Sequence, residues 1–400
     1  MWSIVYAVSL FTGVFLAQLT AILGLILGVT ALLKGWSQRP MRHDAIYPLG
    51  VAIAVLLLSA LLNRAPVASL EFLARHYGVP LLGFAGAVIL MRSAELRAKA
   101  FNTIAVVGAL SGGYGIFQHF TGLDPLYGQQ LEPISAYHLK TFLPVGLLDM
   151  ALTYAGVQLS ALLLVVPVAW TARGKRARWL WISAIVMFLS IFLTYRRGPL
   201  LVGVGVIGLF LVTRSRRTAI VTVIAAAVLA VCAWFASPAL RQAVGMMVEV
   251  KGVSVGQRVV LWDAALQMGS DHPLLGVGPG HWRDRLGEYI EDPTSQGGRS
   301  FAHAHSDPMQ LWATTGAMGV LAVAAIQAVL LLVAFRDLRG HPAGGFDRDI
   351  YLGGVFSDLG FVLASFGQCY MMDAENILML AGVLAMMLGA RERLLARGTA

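Results

Sequence analysis

Apolar residues run along the chain in blocks of fifteen to thirty, broken by short polar connections. An α-helix needs ~20 mostly apolar residues to cross bilayer hydrocarbon, with tilt absorbing some variation. Residues 1–33 contain no charged side chain and read as two tightly connected spans. Gly24 and Gly28 lie four apart within them, a spacing that lets helices pack closely. Further spans are predicted at 45–62, 77–91, 100–120, 153–170, 179–195, 199–213, 218–236, 308–335, 350–369 and 377–390. The pattern therefore predicts an all-α polytopic membrane protein of about twelve helices, a single integral domain over residues 1–400. One connection is long, 237–307, and the helical periodicity after Gly256 predicts short helices within it. Residues 121–152 form a smaller loop on the same side.

Charge adds an orientation. Six basic clusters, Lys34–Arg42, Arg92–Lys99, Arg173–Arg178, Arg214–Arg217, Arg336–Arg348 and Arg391–Arg397, hold most of the 30 Lys and Arg residues. All fall on one side under the twelve-span count. The positive-inside rule makes that side cytoplasmic, places both termini there, and puts loop 237–307 outside. The net charge of +9 thus reflects topology, and no nucleic-acid partner is expected. With 58% hydrophobic and 13% charged residues, the chain leaves no room for a separate soluble domain. Its two cysteines, Cys232 and Cys369, lie in apolar spans and read as packing residues.

Candidate chemistry gathers in 256–318. This stretch holds His272, His281, His303 and His305 together with Arg258, Asp263, Asp271, Arg283, Arg285 and Arg299. Arg258, Leu261, Trp262, Ala265 and Met268 share one helical face, with Gly269 placed to end the helix. Such a helix could lie on the bilayer with Arg258 snorkelling, or aim Arg258 at phosphate oxygens that its planar fork suits. The glycine-rich Gly276–Gly280 lacks the residues of a nucleotide loop and reads as a turn returning the loop to the membrane. Arg196 and Arg197 join two spans on the outer side, against the charge rule, which points to an anionic partner or to headgroup snorkelling. Pro308 suits a first helical turn, making Asp307 the expected N-cap. His305 then precedes a helix N-terminus, where the macrodipole favours neutral imidazole. The alternation His303, His305, Asp307 could instead bind a metal or be solvated loop.

Four patches resemble the O-antigen ligase and polymerase superfamily of bacterial envelope glycosyltransferases. LTYRRGPLL is similar to its Ser-Arg-Gly segment, with Arg197 on the arginine and Arg196 on the serine. GQRVVLWDAALQMGSDHPLLGVGPGHW resembles its Arg-x-x-x-Trp helix and the His-Pro-Leu-Leu-Gly-x-Gly-x-Gly that follows. AHAHSDPMQLWATTGAMG resembles its His-Asn-x-x-Leu-Gln segment, with Ser306 for asparagine and Met309 for leucine. VGLLDMALTYAG resembles the stretch that opens a span.

The resemblance implies a glycosyltransferase C-like fold and glycan transfer at the periplasmic face of a bacterial inner membrane. The implied donor is a glycan on undecaprenyl diphosphate, and the implied acceptor is a sugar hydroxyl of lipid A-core. Transfer would be inverting and independent of metal or other cofactor. Arg197 and Arg258, with Arg196, would hold the diphosphate, and His305 would take the acceptor proton. His303, Trp262 and Asp307 would support them. An O-antigen polymerase or a protein O-oligosaccharyltransferase would use the same donor. A transporter is the reading from another class, expected to show broken helices or midplane charge, with Asp358 as its candidate.

Overall fold

The computed structural model describes residues 1–37, 43–131, 133, 141–215, 217, 220–222, 224, 253–290, 301–340 and 345–398. The span expected at 218–236 falls largely outside them, together with Cys232, Arg299 and residues 237–252 of the long loop.

The described chain is a helical bundle: α1 (Trp2–Ser9), α2 (Val14–Leu33), α3 (Ile46–Leu62), α4 (Pro66–Leu73), α5 (Val79–Leu90), α6 (Ala94–Thr121), α7 (Ala151–Thr171), α8 (Gly174–Leu193), α9 (Arg197–Arg214), α10 (Val253–Asp271), α11 (Trp282–Leu286), α12 (Asp307–Gly340), α13 (Phe346–Ser365) and α14 (Ala374–Gly398). A π turn, Ala74–Gly78, joins α4 and α5 into one run. Among the described residues, seven helices are long and apolar enough to cross a membrane: α2, the run Pro66–Leu90, α6, α7, α8, α9 and α12. The shorter α3 is also apolar. The only sheet among the described residues is a small hairpin, β1 (Leu123–Asp124) with β2 (Gln129–Gln130), in the expected smaller loop.

The first expected span is corrected. At eight residues, α1 rises only ~12 Å, less than half the hydrocarbon thickness. It folds back on α2, its Trp2 indole donating to the Thr20 carbonyl at 2.9 Å and lying against Gly24. Trp2 therefore sits level with the middle of α2, so the N-terminus does not reach the basic end.

Close backbone approach organises the rest. A Cβ at Gly28 would stand 3.0 Å from the Gly86 carbonyl oxygen, which is how α2 and α5 nest at the Gly24/Gly28 pair. At the centre, α7 is enclosed by α6, α8, α9, α13 and α14. Gly353 lets α13 approach α7, since a Cβ there would be 2.6 Å from the Leu164 carbonyl oxygen.

The described residues of the basic clusters share one end of the bundle, and side-chain contacts tie this end together. Arg97 pairs with Asp347 and Arg92 with Glu392. Arg391 reaches Asp337 at 2.5 Å, Arg214 reaches Asp349 at 3.5 Å, and Arg336 lies 3.7 Å from Asp44. Arg176 sits 5.0 Å over the Phe346 ring, and Ser37 bonds the Ile89 carbonyl. From this end α8 and α12 run to or from the opposite end, where the candidate residues lie.

Helix α12 is broken. Gly316 (φ 62°, ψ −163°) interrupts it, and the segment 273–278 fills the gap. Ala317 N–H donates to the Pro273 carbonyl at 2.8 Å and Met318 N–H to that of Leu274 at 3.3 Å. In return the N–H groups of Val277 and Gly278 donate to the carbonyls of Ala313 and Thr314, both at 3.0 Å. The backbone groups freed by the break are thus satisfied within the protein, as membrane depth demands. Gly276, Gly278 and Gly280 all have positive φ, so the glycine-rich stretch is the returning turn that the sequence predicts. The break is filled by the chain's own segment 273–278. Asp358 remains buried within α13.

Candidate functional site

The site assembles at the end opposite the basic clusters, from the α8–α9 junction, α10, the segment 301–306 and the link 366–373. Helix α10 presents the face read from the sequence. Leu261, Ala264, Ala265 and Met268 are buried in a small core with Val277, Trp282, Leu286, Ala304 and Ala313. Arg258 and Trp262 stand at its margin, partly buried. Gly269 does not end the helix, which continues to Asp271; it makes room for the Trp312 indole, whose N–H donates to the Leu266 carbonyl at 3.2 Å.

Three arginines converge. Arg196 immediately precedes α9, Arg197 opens it, and Arg258 crosses from α10 toward Gly367. Burial and the neighbouring Arg258 lower the proton affinity of Arg196. Burial and Arg197 do the same to Arg258. None of the three forms an ion pair among the described residues, and the Arg196 Nε has no hydrogen-bond partner. Like charges held together without a carboxylate make a site that an anion would stabilise.

Beside them stands the histidine pair. The His303 and His305 rings meet edge to face, with centroids 4.4 Å apart. The peptide between them is held on both sides. Trp262 Nε1 donates to the Ala304 carbonyl at 3.0 Å, and Gln310 Oε1 accepts the Ala304 N–H at 2.8 Å. His303 Nδ1 accepts the His305 N–H at 3.2 Å, which commits that lone pair. Burial, then the neighbouring His305, brings the His303 pKa down to about 4, so its ring is neutral. The pKa of His305 is also lowered, by burial first and by the nearby Arg258. His305 Nδ1 lies 3.1 Å from Gln368 Oε1. An amide oxygen only accepts, so this Nδ1 carries the proton and Nε2 keeps its lone pair.

Asp307 has a different place from the one expected. The Ser306 carbonyl accepts the first helical bond, from Gln310 N–H at 2.8 Å, so Ser306 occupies the cap and Asp307 is the first helical residue. Its carboxylate accepts the Met371 N–H at 3.0 and 3.1 Å. His303, His305 and Asp307 therefore do not converge, and among the described residues no group of three or more His, Cys, Asp or Glu is placed to hold a metal ion.

Four other polar residues of this stretch are engaged locally. Arg285 forks onto Glu288 at 2.6 and 2.7 Å, and His281 Nδ1 lies 3.2 Å from Asp284. Asp263 accepts from Gln267 and Asp271 from Tyr289. What sequence reasoning missed is the link Gln368-Cys369-Tyr370. Cys369 is buried, as a packing residue in an apolar span should be, and its Sγ also accepts the Ser306 N–H at 3.2 Å. The available signal was a polar, aromatic connection, GQCY, on the outer side between two apolar spans.

Backbone geometry marks the same place. Among the described residues, Tyr195 and His305 are the two non-glycine residues with positive φ, both 53°. Each costs on the order of 1–3 kcal/mol, and such strain clusters at functional sites. One flanks Arg196 and the other is the site histidine.

Fold and site together define a polytopic helical membrane protein with three arginines beside a histidine pair, at the end of the bundle opposite the basic clusters. Residues 182–324 match the family model described as O-antigen ligase, and that region is similar to the O-antigen ligase and polymerase superfamily. The match includes Arg196, Arg197, Arg258, Trp262, His303, His305 and Asp307, and ends before Gln368. It also brings in the class of chemistry, glycosyl transfer. No curated protein matches the chain.

Proposed function

We propose that the protein is an O-antigen ligase, transferring a glycan from undecaprenyl diphosphate to a sugar hydroxyl of lipid A-core. The observation that carries this reading is the juxtaposition of Arg196, Arg197 and Arg258, without carboxylate partners among the described residues, with the neutral His305. In the step envisaged, His305 Nε2 takes the acceptor hydroxyl proton while that oxygen attacks the anomeric carbon. The bond from that carbon to the diphosphate oxygen breaks, and its electron pair leaves with the lipid diphosphate. The leaving group needs charge stabilisation more than protonation, which guanidinium forks supply without a metal. A positioned base contributes about 10²–10⁴ in rate. Trp262 and Gln310 hold the peptide between the histidines, while Asp307 fixes the start of α12 against the link that carries Gln368.

Orientation follows from the clustered basic end, taken as cytoplasmic in a bacterial inner membrane, with the C-terminus of α14 there and the site facing the periplasm. The test is a chromosomal deletion. The ligase reading expects long polymer to remain on undecaprenyl diphosphate while lipid A-core stays uncapped. Accumulation of single repeat units, or lipid A-core bearing only one, would instead identify a polymerase.

A further inference from the structure

Three consecutive residues at the start of α12 are bound, in order, to three residues of the link after α13. His305 Nδ1 meets Gln368 Oε1 at 3.1 Å, Ser306 N–H meets Cys369 Sγ at 3.2 Å, and the Asp307 carboxylate meets Met371 N–H at 3.0 Å. The link also passes the arginines, with a Gly367 Cβ position 3.9 Å from Arg258 Nη1. Gln368 itself is 7% exposed, so its side chain is committed to the interior.

That geometry separates the two histidines chemically. A neutral imidazole has one donor nitrogen and one acceptor nitrogen, and the partner of one decides the role of the other. His303 spends its Nδ1 lone pair on the His305 N–H, so its remaining nitrogen is a donor. His305 does the opposite, giving its Nδ1 proton to an amide oxygen and keeping Nε2 as an acceptor. Without a partner at Nδ1, His305 could place its proton on either nitrogen, and its ring could rotate about χ2.

We propose that Gln368 is a positioning residue, whose amide oxygen fixes the tautomer and aim of His305 so that Nε2 is the proton acceptor toward the acceptor hydroxyl. This rests on the reading of His305 as the base. An amide suits the task in a site crowded with arginines, because it accepts the Nδ1 proton without supplying a carboxylate that would pair with Arg258. It also leaves the imidazole free of a negative neighbour, keeping it neutral and able to accept a proton near neutral pH.

The test uses the full-length protein in detergent or nanodiscs, with lipid-linked glycan and lipid A-core, and follows kcat/KM against pH. Gln368→Glu keeps an acceptor at Nδ1 and adds charge. It should retain measurable transfer and move the acidic limb to higher pH, since a carboxylate stabilises imidazolium. Gln368→Leu keeps the bulk but removes the acceptor, and should lower kcat/KM about tenfold or more. An acidic limb unmoved in Gln368→Glu, or full activity in Gln368→Leu, overturns the proposal. His305→Ala separates the two levels. Activity surviving in it defeats the base reading itself, whereas loss in it with unaltered Gln368 variants defeats only the positioning role. Should the variants misfold, nitrogen-15 NMR of histidine-labelled wild type still decides: an unprotonated Nε2 on neutral His305 supports the assignment, and a protonated Nε2 overturns it.

Discussion

Trp262 donates its indole N–H to the carbonyl of Ala304, 3.0 Å away, and Ala304 is the residue between the two site histidines. Helix α10 thus delivers both an arginine, Arg258, and the clamp that holds the histidine segment. Replacing Trp262 with Phe keeps the ring and removes the donor, leaving the carbonyl of a fully buried residue short of a partner at a cost of about 1–3 kcal/mol. Transfer activity should fall about tenfold with normal protein levels. Wild-type activity in Trp262→Phe would show that the clamp is dispensable.

The arginines are expected to tolerate lysine poorly. A lysine keeps the charge but loses the paired planar donors, so Arg258→Lys and Arg197→Lys should lose nearly as much as the alanine variants, about 10²–10³ in rate. Snorkelling to headgroups predicts the contrary outcome, full activity with lysine. Steady-state transfer assays at matched expression distinguish the two.

Acidity should act through the histidines, with a definite sign. Folding lowers the pKa of His303 from 6.5 to about 4 and lowers that of His305 as well. Below pH 6.5 the unfolded chain binds protons that the folded chain refuses, so stability drops as pH falls from about 6.5 toward 4. At neutral pH the contribution is fully present. Activity that depends on neutral His305 should likewise have its acidic limb below 6.5, and His305→Ala should lose far more transfer than His303→Ala. An acidic midpoint above 6.5 would contradict the burial of this pair.

The glycine turn makes a sharper stability prediction. Gly276 has φ 65°, and a Cβ there would strike the backbone of Thr314 and Thr315. Gly276→Ala should cost about 2 kcal/mol or more, from left-handed strain and overpacking together. In α6, Gly113 is helical with nothing within 4 Å of a Cβ, so Gly113→Ala should be neutral or stabilising by up to about 1 kcal/mol. Thermal unfolding in detergent reads both, and equal melting temperatures would refute the account of the broken helix.

Orientation is checked by fusing reporters after Arg217 and after Gly287. The first should read cytoplasmic and the second periplasmic. Finding both on one side would overturn the arrangement of the site relative to the basic clusters.

The sequence by itself determined the helical, membrane-spanning character, the common side of the basic clusters, the face of α10 and the turn at Gly276–Gly280. Each is written in a period, a charge count or a glycine along a few consecutive residues, where local geometry and the hydrocarbon thickness leave little choice. It also marked Arg196, Arg197, Arg258, His303 and His305 as the residues to watch. Only the tertiary structure decided how they meet. His305 and Gln368 are 63 residues apart, and Ser59 bonds the Leu275 carbonyl across 216 residues, so no periodicity could pair them. The same holds for the break at Gly316, which persists because a distant segment satisfies its backbone groups, and for Asp307, whose carboxylate is drawn from its own helix to Met371. The short α1 escaped the pattern for another reason: an apolar run states that its residues avoid water, and it does not state whether they cross the bilayer or fold back halfway against a neighbour such as Gly24.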